Sequence, residues 1–221
     1  MSRRLLAGLL SLIFIFGGCA HLPIMSVSPQ DAQSVVDDFH RRLANKYEIV
    51  DSVEFKIGFF SFSSLGMTSI DLVNDHLAVA GVTPVGITLF SVVADKGKVT
   101  QAFVMPQFAK RGDVAKAVSG NIRDIYFDLT PGSFLSGSSR GDQLSVKTAL
   151  ENGLQHEYFF SLKDRVLGEK RLYKNGRLFW RIFYSNWTED SAGHIHPGKI
   201  RLVHRAYHYQ LIINTKEVRP L

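Results

Sequence analysis

The chain has 221 residues and a mass of 24.8 kDa, with 45% apolar and 11% aromatic residues, enough for one core or at most two small ones. Lys and Arg number 26 against 20 Asp and Glu, a net charge of +6, and they are dispersed rather than gathered into an aromatic-interleaved basic run, which excludes a nucleic-acid-binding segment. A single cysteine, Cys19, excludes an internal disulfide and any cysteine-rich zinc or iron–sulfur site.

The chain opens Met1-Ser2-Arg3-Arg4 and then runs from Leu5 to Phe16 almost without a polar residue. Two positives before about a dozen apolar residues read as a secretory signal, because a stable membrane span needs roughly 20. Gly17-Gly18-Cys19-Ala20 follows and resembles the lipobox of bacterial lipoproteins. The resemblance implies cleavage after residue 18 and acylation of Cys19. Ala20 in place of the Asp that retains lipoproteins at the inner membrane implies sorting to the periplasmic face of the outer membrane of a Gram-negative bacterium. Loss of Arg3 and Arg4 lowers the net charge to +4. The expected organisation is a signal at 1–18, a lipidated tether at 19–28 and one domain at 29–221.

Ser28-Pro29-Gln30-Asp31 has the marks of a helix start, with a hydroxyl N-cap, proline at the first position and an acid in the first turn. Ala32, Val35, Val36, Phe39 and Leu43 recur at helical spacing, so an amphipathic helix is expected over about 29–46. Strands follow. Val53, Phe55, Ile57 and Phe59 alternate with Glu54 and Lys56, and further strands are expected at 67–73, 77–82, 87–94 and 99–105. Turns fall at Asn74-Asp75 and Asp95-Lys96-Gly97-Lys98. Helical spacing returns over about 109–128, and Pro131 to Gly141, with three Gly and four Ser, reads as a loop. Six more strands are expected at 142–149, 154–162, 165–173, 177–187, 199–205 and 207–214, with Asn175-Gly176 as a type I′ hairpin. About eleven short strands joined by hairpins make an antiparallel sheet. Leu178, Trp180, Ile182 and Tyr184 share one face, as do Tyr207, Tyr209, Leu211 and Ile213, which fits a curved sheet enclosing either a hydrophobic hollow or a filled core.

Leu77 to Phe90, with Thr83-Pro84-Val85-Gly86 at its tip, resembles the strand–loop–strand of LolB-type lipoprotein receptors, and an uncharacterised bacterial lipoprotein family shares the Thr-Pro-aliphatic-Gly segment more closely. Lys174-Asn175-Gly176 with Trp180 to Tyr184, then Pro197, Ile200-Arg201-Leu202 and Tyr209 to Ile213, resemble the same family in the same order. The resemblance implies an α+β fold, an incomplete antiparallel barrel of the LolA/LolB type with helices covering its concave face. It also implies binding of acyl chains or lipidated cargo, a periplasmic LolA-like carrier as partner, and transfer into the outer membrane. It assigns Pro84, Val85 and Gly86 to the membrane-transfer loop; the other reading of that tip is a type II turn in which Val85 is a spacer. From alternation, Phe55, Ile57, Phe59, Leu89, Trp180 and Ile182 are expected to line the hollow.

The sequence carries no constellation of catalytic residues. Gly193 to Lys199 spells a phosphate-loop pattern but continues into Ile200, which cannot ligate magnesium. His194 and His196, with His204 and His208 nearby, are at strand spacing for a metal pair, but no acid supplies a clear third ligand, so neither metal nor cofactor is expected. The expected function is non-catalytic, either lipid binding and transfer or a structural role in which the lipoprotein holds a protein partner in the envelope.

Overall fold

A computed structural model describes residues 23–110, 112–132 and 136–221. The signal segment and Cys19 lie outside the described residues. Ser28 caps helix α1 (Pro29–Arg41), its hydroxyl oxygen accepting from the Asp31 N–H at 3.1 Å. The helix ends five residues before the expected boundary, where the Arg42 carbonyl accepts from the Ile195 N–H at 2.8 Å and the chain turns into a strand.

Thirteen strands form one antiparallel sheet: β1 (Met25–Ser26), β2 (Lys46–Ile57), β3 (Phe60–Asp71), β4 (His76–Val82), β5 (Thr88–Asp95), β6 (Lys98–Val104), β7 (Ser136–Arg140), β8 (Gln143–Ala149), β9 (Leu154–Ser161), β10 (Leu167–Lys174), β11 (Arg177–Glu189), β12 (Ile195–His204) and β13 (Tyr209–Pro220). The order is β1-β7-β8-β9-β10-β11-β12-β13-β2-β3-β4-β5-β6, so the sheet stays open between β1 and β6. This is the expected incomplete barrel with two more strands. Both extra strands come from segments read as tether and loop: Met25–Ser26 pairs with Ser138 and Ser139, and Ser136–Arg140 pairs with β8. Ladder hydrogen bonds on both sides override the weak strand propensity of Ser and Gly.

Local turn chemistry places the hairpins where expected. Asn175 and Gly176 have φ of 50° and 75°, and Lys96 and Gly97 have 46° and 80°, the paired positive values of a type I′ turn. The two halves of the sheet join at β13 and β2, paired from Tyr209 opposite Ile57 to Pro220 opposite Tyr47 with one register shift between Thr215 and Glu217.

Alternation sends one face of every long strand inward. Ile49, Ile70, Leu77, Val79 and Val92 come from one half, and Leu144, Val146, Tyr158, Phe160, Trp180, Ile182, Tyr184, Ile200 and Leu202 from the other. Gly81 faces inward too, because the Phe90 ring lies where its Cβ would be. Helix α1 closes part of this face with Ala32, Val35, Val36 and Phe39, the Phe39 ring standing edge-on to Phe160 at 5.5 Å and Trp187 at 5.3 Å. A second helix pair, α2 (Pro106–Ala109) and α3 (Val114–Tyr126), replaces the single helix expected at 109–128; α3 lies beside β5 and β6. The described residues hold one sheet, its helices and one contiguous core.

Phe39→Ala empties a fully buried ring site and is expected to destabilise the chain by about 3–5 kcal/mol. A urea midpoint within experimental scatter of the parent would show that α1 does not depend on this contact.

Candidate functional site

The concave face and α3 enclose the region where the expected pocket residues converge. Trp180 and Ile182 both point inward and are fully buried. Phe55 faces the same way and is half-buried, its ring 5.4 Å from Tyr209. Ile57 follows at the rim, 40% exposed. Phe59 is a correction: β2 ends at Ile57, Gly58 turns the chain at φ 55°, and Phe59 projects into solvent at the hairpin tip. Leu89 is a second correction, since it occupies a bulge opposite β4 and the inward ring is its neighbour Phe90. The face is packed. A small enclosed space of about 20 Å³ lies at the end of α3, bounded by Tyr47, Ile125, Tyr126, Leu129 and Tyr184, room for about one water. A larger depression of about 200 Å³ lies on the outer face, where Ser69, Ala78, Ala80 and Ser91 leave Met67 uncovered.

The two covering helices are held differently. α1 buries four apolar side chains, whereas α3 buries Ala115, Ser119, Ile125 and Tyr126. Polar groups fasten α3. The Tyr209 hydroxyl donates to Asn121 Oδ1 at 2.6 Å, Arg123 pairs with Asp75, and the Tyr184 hydroxyl donates to the Ile125 carbonyl at 2.8 Å. The Tyr126 hydroxyl donates to Asp51 Oδ2 at 3.3 Å. Lys170 Nζ donates to the carbonyls of Asp124 and Phe127, each at 3.2 Å.

Lys170 is the polar residue of this layer that sequence patterning does not reveal. A lysine between two charged residues reads as solvated, yet Lys170 is 1% exposed. It stands opposite Ile182 and Tyr158, on the inward face, with its Nζ 5.7 Å from the Trp180 ring centre and 5.8 Å from that of Tyr158. The run Glu169-Lys170-Arg171 hides this. Its two neighbours face outward, where Arg171 grips Glu169 bidentately at 2.8 and 2.9 Å. The only signal was parity with Leu172.

Burial sets the protonation of this layer. Desolvation pulls Lys170 down to about 8, against the upward pull of Asp128 and Asp124. It raises Asp124 and Asp51 to about 6 each, and holds His156 down to about 4. The histidines weighed as metal ligands do not converge. His194 Nδ1 lies 3.7 Å from Asp190, His196 is hydrogen-bonded to Thr188, and His204 stacks between Tyr207 and Tyr209. Among the described residues no group of three or more His, Cys, Asp and Glu side chains is arranged to hold a metal ion.

The tip at Pro84, Val85 and Gly86 is solvent-exposed, with Val85 at 81%. The Gly86 N–H donates to the Thr83 carbonyl at 2.9 Å, and the positive φ, 85°, falls on Gly86 and not on Val85, which excludes a type II turn. Strand register puts the Phe59, Val85 and Tyr207 tips and the Asn175-Gly176 turn at one end of the sheet, with exposed Lys110, Lys174, Arg177 and Arg205 around them.

Over residues 63–217 the sequence matches the family described as protein of unknown function (DUF3261). The chain belongs to DUF3261. No curated protein matches its sequence. Two solved structures are similar to this DUF3261 chain. A LolA superfamily protein from Nitrosomonas europaea has a TM-score of 0.58 at 12% identity, over 86% of this chain and 93% of that one. A domain described as outer membrane lipoprotein-sorting from Vibrio parahaemolyticus has 0.56 at 12%, over 85% and 92%. The DUF3261 fold is therefore LolA/LolB-like.

Asp51→Asn tests the buried layer. The folded state keeps the Asp51 proton between pH 4 and 6 where the unfolded chain has released it, so the penalty of the ionised form is absent near pH 4 and complete above pH 6. The gain in stability of the variant over the parent is expected to be larger at pH 7.5 than at pH 4.5 by about 2 kcal/mol, read from urea unfolding. Equal differences at both pH values would contradict the assignment.

Proposed function

We propose that this protein is a non-catalytic acyl-chain binder of the envelope, anchored through Cys19 to the outer membrane, that takes up an acyl chain or lipidated cargo beneath α3 and releases it into the bilayer. The observation that carries the reading is the unequal attachment of the two helices. α1 is part of the core. α3 buries Ala115, Ile125 and Tyr126 and is otherwise tied down by side-chain hydrogen bonds whose partners an incoming ligand can replace, and lifting it uncovers the aromatic layer of Trp180, Tyr158 and Tyr184. Burying an acyl chain against that layer returns roughly 25 cal/mol per Å². A LolA-like periplasmic carrier is the proposed donor. The solved relatives support the reading by their names, one a LolA superfamily protein and the other described as lipoprotein-sorting.

The apolar tips supply the exit. Val85, with Phe59 beside it in the neighbouring hairpin, enters the bilayer interface while Lys174, Arg177 and Arg205 meet anionic headgroups, each worth about 1 kcal/mol. A second reading, a structural lipoprotein that holds a protein partner, is favoured by one observation: the concave face is filled by a contiguous core of buried side chains. Organic extraction of the purified chain from residue 20 onward, followed by mass spectrometry, separates the two. The carrier reading expects stoichiometric acyl lipid, and an empty extract from protein purified out of a membrane-containing lysate contradicts it. For transfer, Val85→Asp is expected to slow delivery of a fluorescent acyl lipid to anionic vesicles roughly tenfold, the loss of one buried Val side chain. Its equilibrium binding of that lipid should be unchanged. Unaltered transfer removes the tip from the mechanism.

A further inference from the structure

We propose that Lys170 is the seat of an anionic group on the ligand, so that the site selects acyl chains that end in a carboxylate or phosphate over neutral ones. The inference rests on the acyl-binding reading above and deepens it.

The argument starts from where the charge of Lys170 is spent. An ammonium has three N–H donors, and both hydrogen bonds of Lys170 go to main-chain carbonyls, of Asp124 in the last turn of α3 and of Phe127 just beyond it. The charged groups around it are Asp124 on α3 and Asp128 on the loop after it; His156 and Tyr158 of β9 are the titratable side chains facing it from the sheet. The sheet itself offers rings, Trp180 and Tyr158, and the aliphatic Ile182. Every acceptor and both counter-charges of Lys170 therefore belong to α3 and the residues that follow it.

Opening α3 removes these partners together and leaves a cation in an aromatic sleeve. An unpaired buried charge is strongly destabilising, so the open state is favoured only when the incoming molecule replaces what the helix took away. A neutral chain fills the apolar volume but leaves Lys170 bare. A chain with an anionic end fills the volume and pairs with Nζ. Capping the C-terminus of α3 would not by itself require this burial, because an exposed lysine meets the same carbonyls with less desolvation.

The test uses the chain from residue 20 onward, which contains every core residue described above. Binding of cis-parinaric acid and of its methyl ester is measured by fluorescence at pH 7.0 and 9.5, with lysophosphatidic acid and monoacylglycerol as displacing competitors. The parent is expected to prefer the acid over the ester at least tenfold at pH 7.0 and to lose most of that preference at pH 9.5, where Lys170 is neutral while the ligand carboxylate stays charged. Lys170→Met should bring the acid down to the affinity of the ester and leave the ester within threefold. Lys170→Arg should keep the preference at both pH values. Should Lys170→Met fail to fold, the parent's preference, its pH dependence and Lys170→Arg decide the matter. Stronger displacement by lysophosphatidic acid than by oleic acid assigns a phosphate end, and the reverse a carboxylate. Equal binding of acid and ester by the parent overturns the role of Lys170 and leaves acyl binding standing. Binding of neither probe overturns both.

Discussion

Helix α3 is fastened to an apolar sheet by polar bonds, and the behaviour of the molecule depends on that mismatch. Four tyrosine, lysine and carboxylate contacts from the sheet reach its second half: Tyr209, Tyr184, Lys170 and Asp51. Each such bond adds about 1 kcal/mol net when made and costs more when broken inside the protein. The helix also joins the core through Ala115, Ile125 and Tyr126. On the proposed function it opens only when something else satisfies its polar partners. The ionisable groups that share the layer, Asp51, Asp124, His156 and Lys170, are all displaced from their usual values by the same burial.

The open sheet makes this arrangement necessary. A closed barrel would bury its inner face against itself, but here β1 and β6 are unpaired with each other and the inner face must be covered by helices. α1 does this permanently through Phe39 and its neighbours. α3 completes the cover over β5 and β6. The same topology gathers the hairpin tips at one end, so the exposed Phe59, Val85 and Tyr207 and the positive side chains around them form one rim.

Much of the fold was legible in the sequence because it is written in short-range chemistry. Ser28-Pro29 and Asn175-Gly176 act through their own backbone conformations, and period-two alternation correctly turned Trp180 and Ile182 inward. Alternation failed where a strand ended or bulged. Phe59 has the right parity but lies past the Gly58 turn, and one bulge residue exchanges Leu89 for Phe90. The Ser-rich β7 could not be seen, since its hydrogen bonds to β1 and β8 are long-range. Lys170 was hidden for a different reason. A lysine between two charged residues reads as surface, and only the partners that α3 brings from more than forty residues away make its burial tolerable.

Hydrogen exchange on the chain from residue 20 onward, followed by mass spectrometry, tests the movable helix most directly. Amides of α3 (Val114–Tyr126) are expected to exchange through local opening well before those of α1 (Pro29–Arg41) and to be protected when an acyl ligand is added. Protection of α3 equal to that of α1, and unchanged by ligand, would contradict the account.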